Sequence, residues 1–235
     1  VSTHDELEAA IGPRTCAIAH IAAYEPKGSV KLDAVLVIAH DRNLPVLVDA
    51  AAELPPHENL TRFVRMGCDA VMFSGGKGLR GPQSSGLLLG KKWLVEAARL
   101  NGCPNHSVGR PMKAGKEEIC GLVKAVELYL ARDHAAEWRR WEDQVAHVAH
   151  ALRDLPGVET GSVPHEVINH VPRVFVRWDE TKLGLSLAEV IERLRAGEPR
   201  IEVLVTACGL TISPNTLEPG EEHPIGRHRV EQARP

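Results

Sequence analysis

Two apolar runs, AVMFS and GLLLG, are separated only by the glycine-rich stretch at residues 75–85, and this spacing constrains the fold more than any other feature. A crossover between parallel neighbours needs about a dozen residues or more, usually a helix, and no helix fits a stretch carrying Gly75, Gly76, Gly78, Gly81 and Pro82. The run at 85–90 is therefore expected to lie antiparallel to the run at 69–74. Upstream the chain alternates differently. CAIAHIA (16–22), PVLVDA (45–50) and DAVMFS (69–74) read as buried strands. Between them, SVKLDAVLVIAHDRN (29–43, with Ser29 as cap) and NLTRFVRMG (59–67) read as helices. A β-α-β-α-β order predicts a parallel sheet with helices on both faces. The fold class expected is thus α/β, a partial doubly wound and mostly parallel sheet, with only three or four strands supplied here. The sheet is expected to be completed by a segment outside this chain or by another chain.

The remaining elements follow from capping and periodicity. Thr3 and Glu6 form a capping-box pattern ahead of DELEAAI, which Gly12-Pro13 stops. KKWLVEAARLNG (91–102) reads as a helix. A long helical stretch over 116–155 is expected to break near Arg132-Asp133, with Glu117 and Glu118 suited to its first turn. From Val158 the texture becomes α+β: strands VPRVFVRW and IEVLVTA flank the helix SLAEVIERLRAG, and PGEEHPIGRHRVEQ reads as a last helix. The boundary is placed at Pro156-Gly157, giving a large domain over 1–156 and a small α+β domain over 157–235.

Composition narrows the function classes. The 235 residues are 43% hydrophobic and 25% charged, an ordinary globular balance. The net charge of -3, without a basic run, gives no indication of nucleic acid. An odd count of five cysteines, with no CxxC pair, points to a reducing, cytoplasmic setting without a disulfide framework or a cysteine-built metal site. No signal peptide or membrane-length apolar run is visible.

What the glycine stretch does has three readings. Gly76-Lys77-Gly78-Leu79-Arg80-Gly81 matches G-x-G-x-x-G, but a strand follows where the dinucleotide mechanism needs a helix N-terminus. A Walker loop fails because Gly follows Lys77. A plain turn with a solvated lysine is the ordinary alternative. The third reading uses the neighbours: Asp49 ends one strand, while Ser74 and Lys77 end the next, at the edge where open α/β sheets bind ligands. A lysine desolvated there is a competent amine nucleophile, and an acid ending an apolar strand needs a cationic partner. These groups suit an aldehyde cofactor with a ring nitrogen and a phosphate.

VLVDAAAE (46–53) with FSGGKGLRGPQSSGLLLG (73–90) resembles the fold type I pyridoxal-phosphate enzymes, in the group around bacterial selenocysteine synthase and D-glucosaminate-6-phosphate ammonia-lyase. NGCPNHSVGRPMKAGKEEI (101–119) and GLTISPNTLEPGEE (209–222) resemble the ammonia-lyase branch more. The resemblance implies pyridoxal 5'-phosphate in a Schiff base with Lys77, with Asp49 at the pyridine nitrogen, Ala51 against one ring face and Ser74 at the phosphate. It implies that Gln83 reaches a neighbouring subunit's cofactor phosphate in at least a dimer. Arg110 and His106 are the residues expected at the substrate. The implied reaction is α,β-elimination of an amino acid or amino-sugar acid. A half-enzyme subunit needing a complementary N-terminal chain and a selenium transferase on seryl-tRNA are the alternatives. The resemblance also implies an N-terminal part, with a further glycine loop and a ring-stacking residue, that these residues do not include.

Among the other polar residues, His20 and His40 are read as satisfied structural histidines, and His147 and His150 as a partly exposed helix face without a third metal ligand. The Trp138–Trp141 pair is read as packing.

Overall fold

A computed structural model describes residues 1–153, 155, 157–163, 170–206 and 209–225. They form two compact units, the first over Val1–Arg132 with His170, the second starting at Asp133.

The first unit opens with α1 (His4–Ala10), whose capping box is formed: Thr3 Oγ1 accepts from the Glu6 N–H at 3.2 Å, and Glu6 Oε2 accepts from the Thr3 N–H at 3.3 Å. Then come β1 (Ile18–Ile21), α2 (Leu32–Asp41), β2 (Val46–Asp49), α3 (Asn59–Met66), β3 (Ala70–Ser74) and β4 (Gly86–Gly90). The strands lie in the order β1-β2-β3-β4, the first three parallel and β4 antiparallel to β3, as the short glycine stretch requires. The expected cap of α2 is different. The helix starts at Leu32, whose N–H donates to Glu25 Oε1 at 2.8 Å, and Ser29 caps nothing.

Alternate residues of the sheet meet different surroundings. Val46, Val48, Val71 and Phe73 face a core built with Leu36, Leu60 and Phe63, and the Phe63 and Phe73 rings lie 6.4 Å apart. His20 is buried on that same side, its Nε2 2.9 Å from Glu25 Oε1. On the other face, Ile21, Asp49, Met72 and Leu88 stand side by side in one row of the pairing register. There Ile21 is 44% and Met72 36% exposed. Helices on both faces were expected from the alternation; among the described residues, one face is packed and the other is not. Both faces of such strands are apolar, so the alternation cannot tell which is covered by this chain.

Asp69 ties the starts of β2 and β3 to the end of β4. It accepts from the Val46 N–H at 2.8 Å, pairs with Lys91 beyond β4, and its backbone oxygen accepts from the Lys91 N–H. Gly90 sits against it at φ +150°, where a side-chain carbon would fall 2.2 Å from the Asp69 carbonyl oxygen. The first unit ends with α4 (Lys92–Asn101) and α5 (Lys116–Ala131), whose Leu122 and Tyr129 join the core.

The break between α5 and α6 (His134–Leu152) falls where the sequence placed it. Arg132 is extended, and Asp133 Oδ1 caps α6 by accepting from the Ala136 N–H at 2.8 Å. The compact units divide at this break rather than at 156–157, because Val148 and Leu152 of α6 pack into the second unit's core with Val174, Val176, Leu194 and Leu210. That unit adds β5 (Val158–Ser162), β6 (Val174–Trp178), α7 (Glu180–Leu183), α8 (Leu187–Ala196), β7 (Leu204–Thr206) and β8 (Gly209–Ile212), in an antiparallel sheet ordered β5-β6-β8-β7. It is an α+β unit; β5 and β8 were not anticipated, since ETGS and GLTI are short and half-polar. Of the last helix expected at 219–232, residues 222–225 are helical and residues 226–232 lie outside the described residues.

The Trp138 and Trp141 rings meet edge to face at 6.3 Å, with Trp141 buried. His147 Nε2 lies 3.1 Å from His223 Nδ1. Among the described residues no group of three or more acidic, histidine or cysteine side chains is placed to hold a metal, and no helix is long and apolar enough to cross a membrane. Cys16, Cys68, Cys103 and Cys120 are free thiols. Burial pushes the Cys68 thiol up to about 11, with the Asp69 charge adding to it, so it is an inert thiol.

Candidate active site

The site is built at the carboxyl ends of β2 and β3. Asp49 closes β2 with its side chain on the unpacked face. Its Oδ1 accepts from the Ala51 N–H at 3.0 Å, an Asx turn that sets the direction of residues 50–54. Ser74 closes β3 on that same face, two residues beyond Met72, which pairs with Asp49; at strand rise this puts it about 7 Å further along. Lys77 follows within the turn.

The turn is locked by its own backbone. Gly75 N–H donates to Ser85 O at 2.9 Å, and Gly81 N–H donates to Gly75 O at 2.7 Å. Gln83 Nε2 donates to Gly76 O at 3.2 Å, and Ser85 Oγ donates to Pro82 O at 2.6 Å. Gly78 packs on the backbone of Leu54: a side-chain carbon there would lie 2.4 Å from Leu54 O, so only glycine lets the two turns touch. α5 backs the turn, with Leu122 beside Gly75 and Gly121 beside Pro82. The stretch is thus a rigid hairpin turn that holds Lys77 between Gly76 and Gly78, and no helix opens at it, which removes the dinucleotide reading.

Lys77 is exposed, and among the described residues its amine has no hydrogen-bond or ion-pair partner. The sequence reading expected it desolvated; this chain does not supply that burial. Ala51 is half-buried in the Asx turn. Gln83 is exposed, its amide committed to Gly76 O. Arg110 and His106 lie in the loop after α4. Arg110 Nη1 donates to Cys103 Sγ at 2.7 Å, and His106 is exposed. Neither is hydrogen-bonded to Asp49, Ser74 or Lys77.

Sequence reasoning passed over the residues that position the Asp49 turn. Asn59, at the start of α3 and buried, donates from Nδ2 to Glu53 O at 2.7 Å, and Asn59 N–H donates to Pro56 O. This braces 50–54 against Gly78. A buried Asn at a helix start was the available signal, but an exposed cap gives the same pattern.

Among the described residues, an amine without a partner three residues beyond β3, a carboxylate with a single backbone donor at the end of β2 and a hydroxyl at the end of β3 thus lie toward one edge of the sheet. That set fits pyridoxal phosphate: an amine for its aldehyde, a carboxylate for its ring nitrogen, a hydroxyl for its phosphate. The fold is that of an α/β protein whose strand-end residues suit an aldehyde cofactor.

The Aminotransferase class-V family model matches residues 1–211, and the chain belongs to that family, whose members depend on pyridoxal phosphate. It is 30% identical over 226 residues to the D-glucosaminate-6-phosphate ammonia lyase of Salmonella typhimurium, covering 94% of this chain and 58% of the relative. It is 32% identical to the 5'-C-glycyluridine monooxygenase-decarboxylase of a Streptomyces species, covering 94% and 55%. A solved structure of a D-glucosaminate-6-phosphate ammonia-lyase superposes with a TM-score of 0.73 at 30% identity, over 98% of this chain and 61% of that one. The chain therefore spans a little over half the length of these relatives.

Proposed function

We propose that the protein containing this chain is a pyridoxal-phosphate-dependent lyase that eliminates across Cα and Cβ of a small amino acid or amino-sugar acid. The observation that carries the reading is the shared rim of Asp49, Ser74 and Lys77. Bound pyridoxal phosphate supplies an electron sink for the pair left when the Cα–H bond breaks. Lys77 Nζ, held in the turn, would hold the cofactor through its aldehyde carbon and, as a free amine, would be the base for the Cα proton. The Asp49 carboxylate, oriented by the Ala51 N–H, keeps the ring nitrogen protonated. Ala51 leaves room for the ring, and Ser74 Oγ donates to the phosphate. Gln83 is assigned to a neighbouring subunit's phosphate, and Arg110 with His106 to the substrate's anionic group; their present contacts do not oppose this. The exposure of Lys77 is what the rest of the protein, or a second subunit, must remove.

The alternatives carry less. A half-enzyme role rests on the unpacked sheet face, but the retained rim favours catalysis. Transfer of selenium on a charged tRNA requires a basic surface, and the net charge is -3.

The test is the visible spectrum of the purified protein with pyridoxal phosphate, before and after borohydride, followed by peptide mapping and an ammonia-release screen. A yellow band that borohydride removes, with a pyridoxyl group on the Lys77 peptide, supports the reading. A label on another lysine overturns the assignment.

A further inference from the structure

We infer that Glu53 is a positioning residue for the proposed reaction. It fixes the turn that orients Asp49 and, through Leu54, the turn that carries Lys77. The inference rests on the proposed cofactor site for what the two turns hold, and on geometry alone for how they are held together. A glutamate is costly to bury, yet Glu53 is only 8% exposed. Each of its polar groups is used. Its N–H donates to Ala50 O at 3.0 Å, and its backbone oxygen accepts from the buried Asn59 Nδ2 at 2.7 Å. Its carboxylate Oε2 lies 3.4 Å from His170 Nε2, and His170 belongs to the same compact unit although it is 117 residues away in sequence. The turn is thus held from its own strand end, from α3 and from a distant segment.

The neighbours of Glu53 carry this constraint in two directions. Two residues before it, the Ala51 N–H donates to Asp49 Oδ1 and orients that carboxylate. One residue after it, Leu54 is buried, with its carbonyl oxygen packed on Gly78, the residue that follows Lys77. Asp49 and Lys77 are therefore referred to one buried glutamate that is hydrogen-bonded to neither. The Glu53 carboxylate also borders a cavity of about 180 Å³, lined in part by Lys31, Arg62, Phe63 and Met66. Shortening the side chain enlarges a space that already exists, so the neighbours do not close on the gap.

Amide hydrogen exchange read by mass spectrometry tests the inference, with and without pyridoxal phosphate, on wild type, Glu53→Ala, Glu53→Gln and His170→Ala. Without the cofactor, Glu53→Ala should speed exchange over 50–54 and 75–81 together by about tenfold, while 46–48 and 70–73 in the core strands keep their rates. Glu53→Gln keeps the backbone contacts and an oxygen for His170, and should bring both segments back to within about threefold of wild type. His170→Ala changes a partly exposed side chain and should loosen the same two segments to a smaller extent, which keeps the test open if Glu53→Ala does not fold. With the cofactor, the visible circular dichroism that reports its orientation should weaken in Glu53→Ala and His170→Ala and return in Glu53→Gln. Loosening of 50–54 with 75–81 unchanged overturns the inference. So does loosening spread evenly over the core strands, which would make Glu53 a residue of general stability. If the two turns loosen together but wild type takes no pyridoxyl group at Lys77, the proposed function fails and the coupling of the turns by Glu53 stands.

Discussion

The packed and unpacked faces of the first sheet are made by alternate residues of the same strands, yet they do different work. Val46, Val48, Val71 and Phe73 point into the core and hold the unit together. Ile21, Asp49, Met72 and Ser74 point the other way, and the rim proposed to bind the cofactor lies among them. Stability and chemistry are thus divided by the two-residue period of a strand. A change on one face should spare what the other does.

The largest expected effect is chemical. Lys77→Ala should abolish pyridoxyl labelling and lower ammonia release by roughly 10⁴-fold, about 5 kcal/mol of barrier, while thermal denaturation of this chain is unmoved. A large fall in melting temperature would mean that the turn is structural and would erase the contrast. Next is the packed face: Phe73→Ala removes a buried ring beside Phe63 and should cost about 3–5 kcal/mol in denaturant unfolding.

Asp69→Ala comes third, at about 1–3 kcal/mol, because it strands the buried Val46 N–H and releases Lys91. Burial pushes the Asp69 carboxyl up, but hydrogen bonds from Lys91 and the Val46 N–H outweigh it and hold the group below its usual range. A folded value below the unfolded one stabilises fully above about pH 4 and is lost as pH falls through the folded value. The stability gap between wild type and Asp69→Ala should therefore be flat at neutral pH and close only in strong acid; a gap that opens on acidification contradicts the pairing. The smallest effect belongs to the unpacked face, where Met72→Ala should change the stability of this chain by within about 0.5 kcal/mol. A loss of several kcal/mol would show that Met72 is already covered.

Much of this was legible from local chemistry. The order of strands and helices, the antiparallel β4, the capping box at Thr3 and the break at Arg132-Asp133 all follow from short-range spacing, which backbone geometry enforces wherever the chain goes. The placement of Asp49 and Ser74 was legible too, because they end neighbouring strands, and strand ends meet at one edge of a parallel sheet. Local pattern could not say which face of the sheet is packed, since both are apolar. It could not show that Gly78 serves the approach of Leu54, that Asn59 braces the Asp49 turn, or that α6 sides with the second core. Nor could it place Lys77 in solvent. Each of these depends on what a distant segment buries, and burial is a property of the assembled fold.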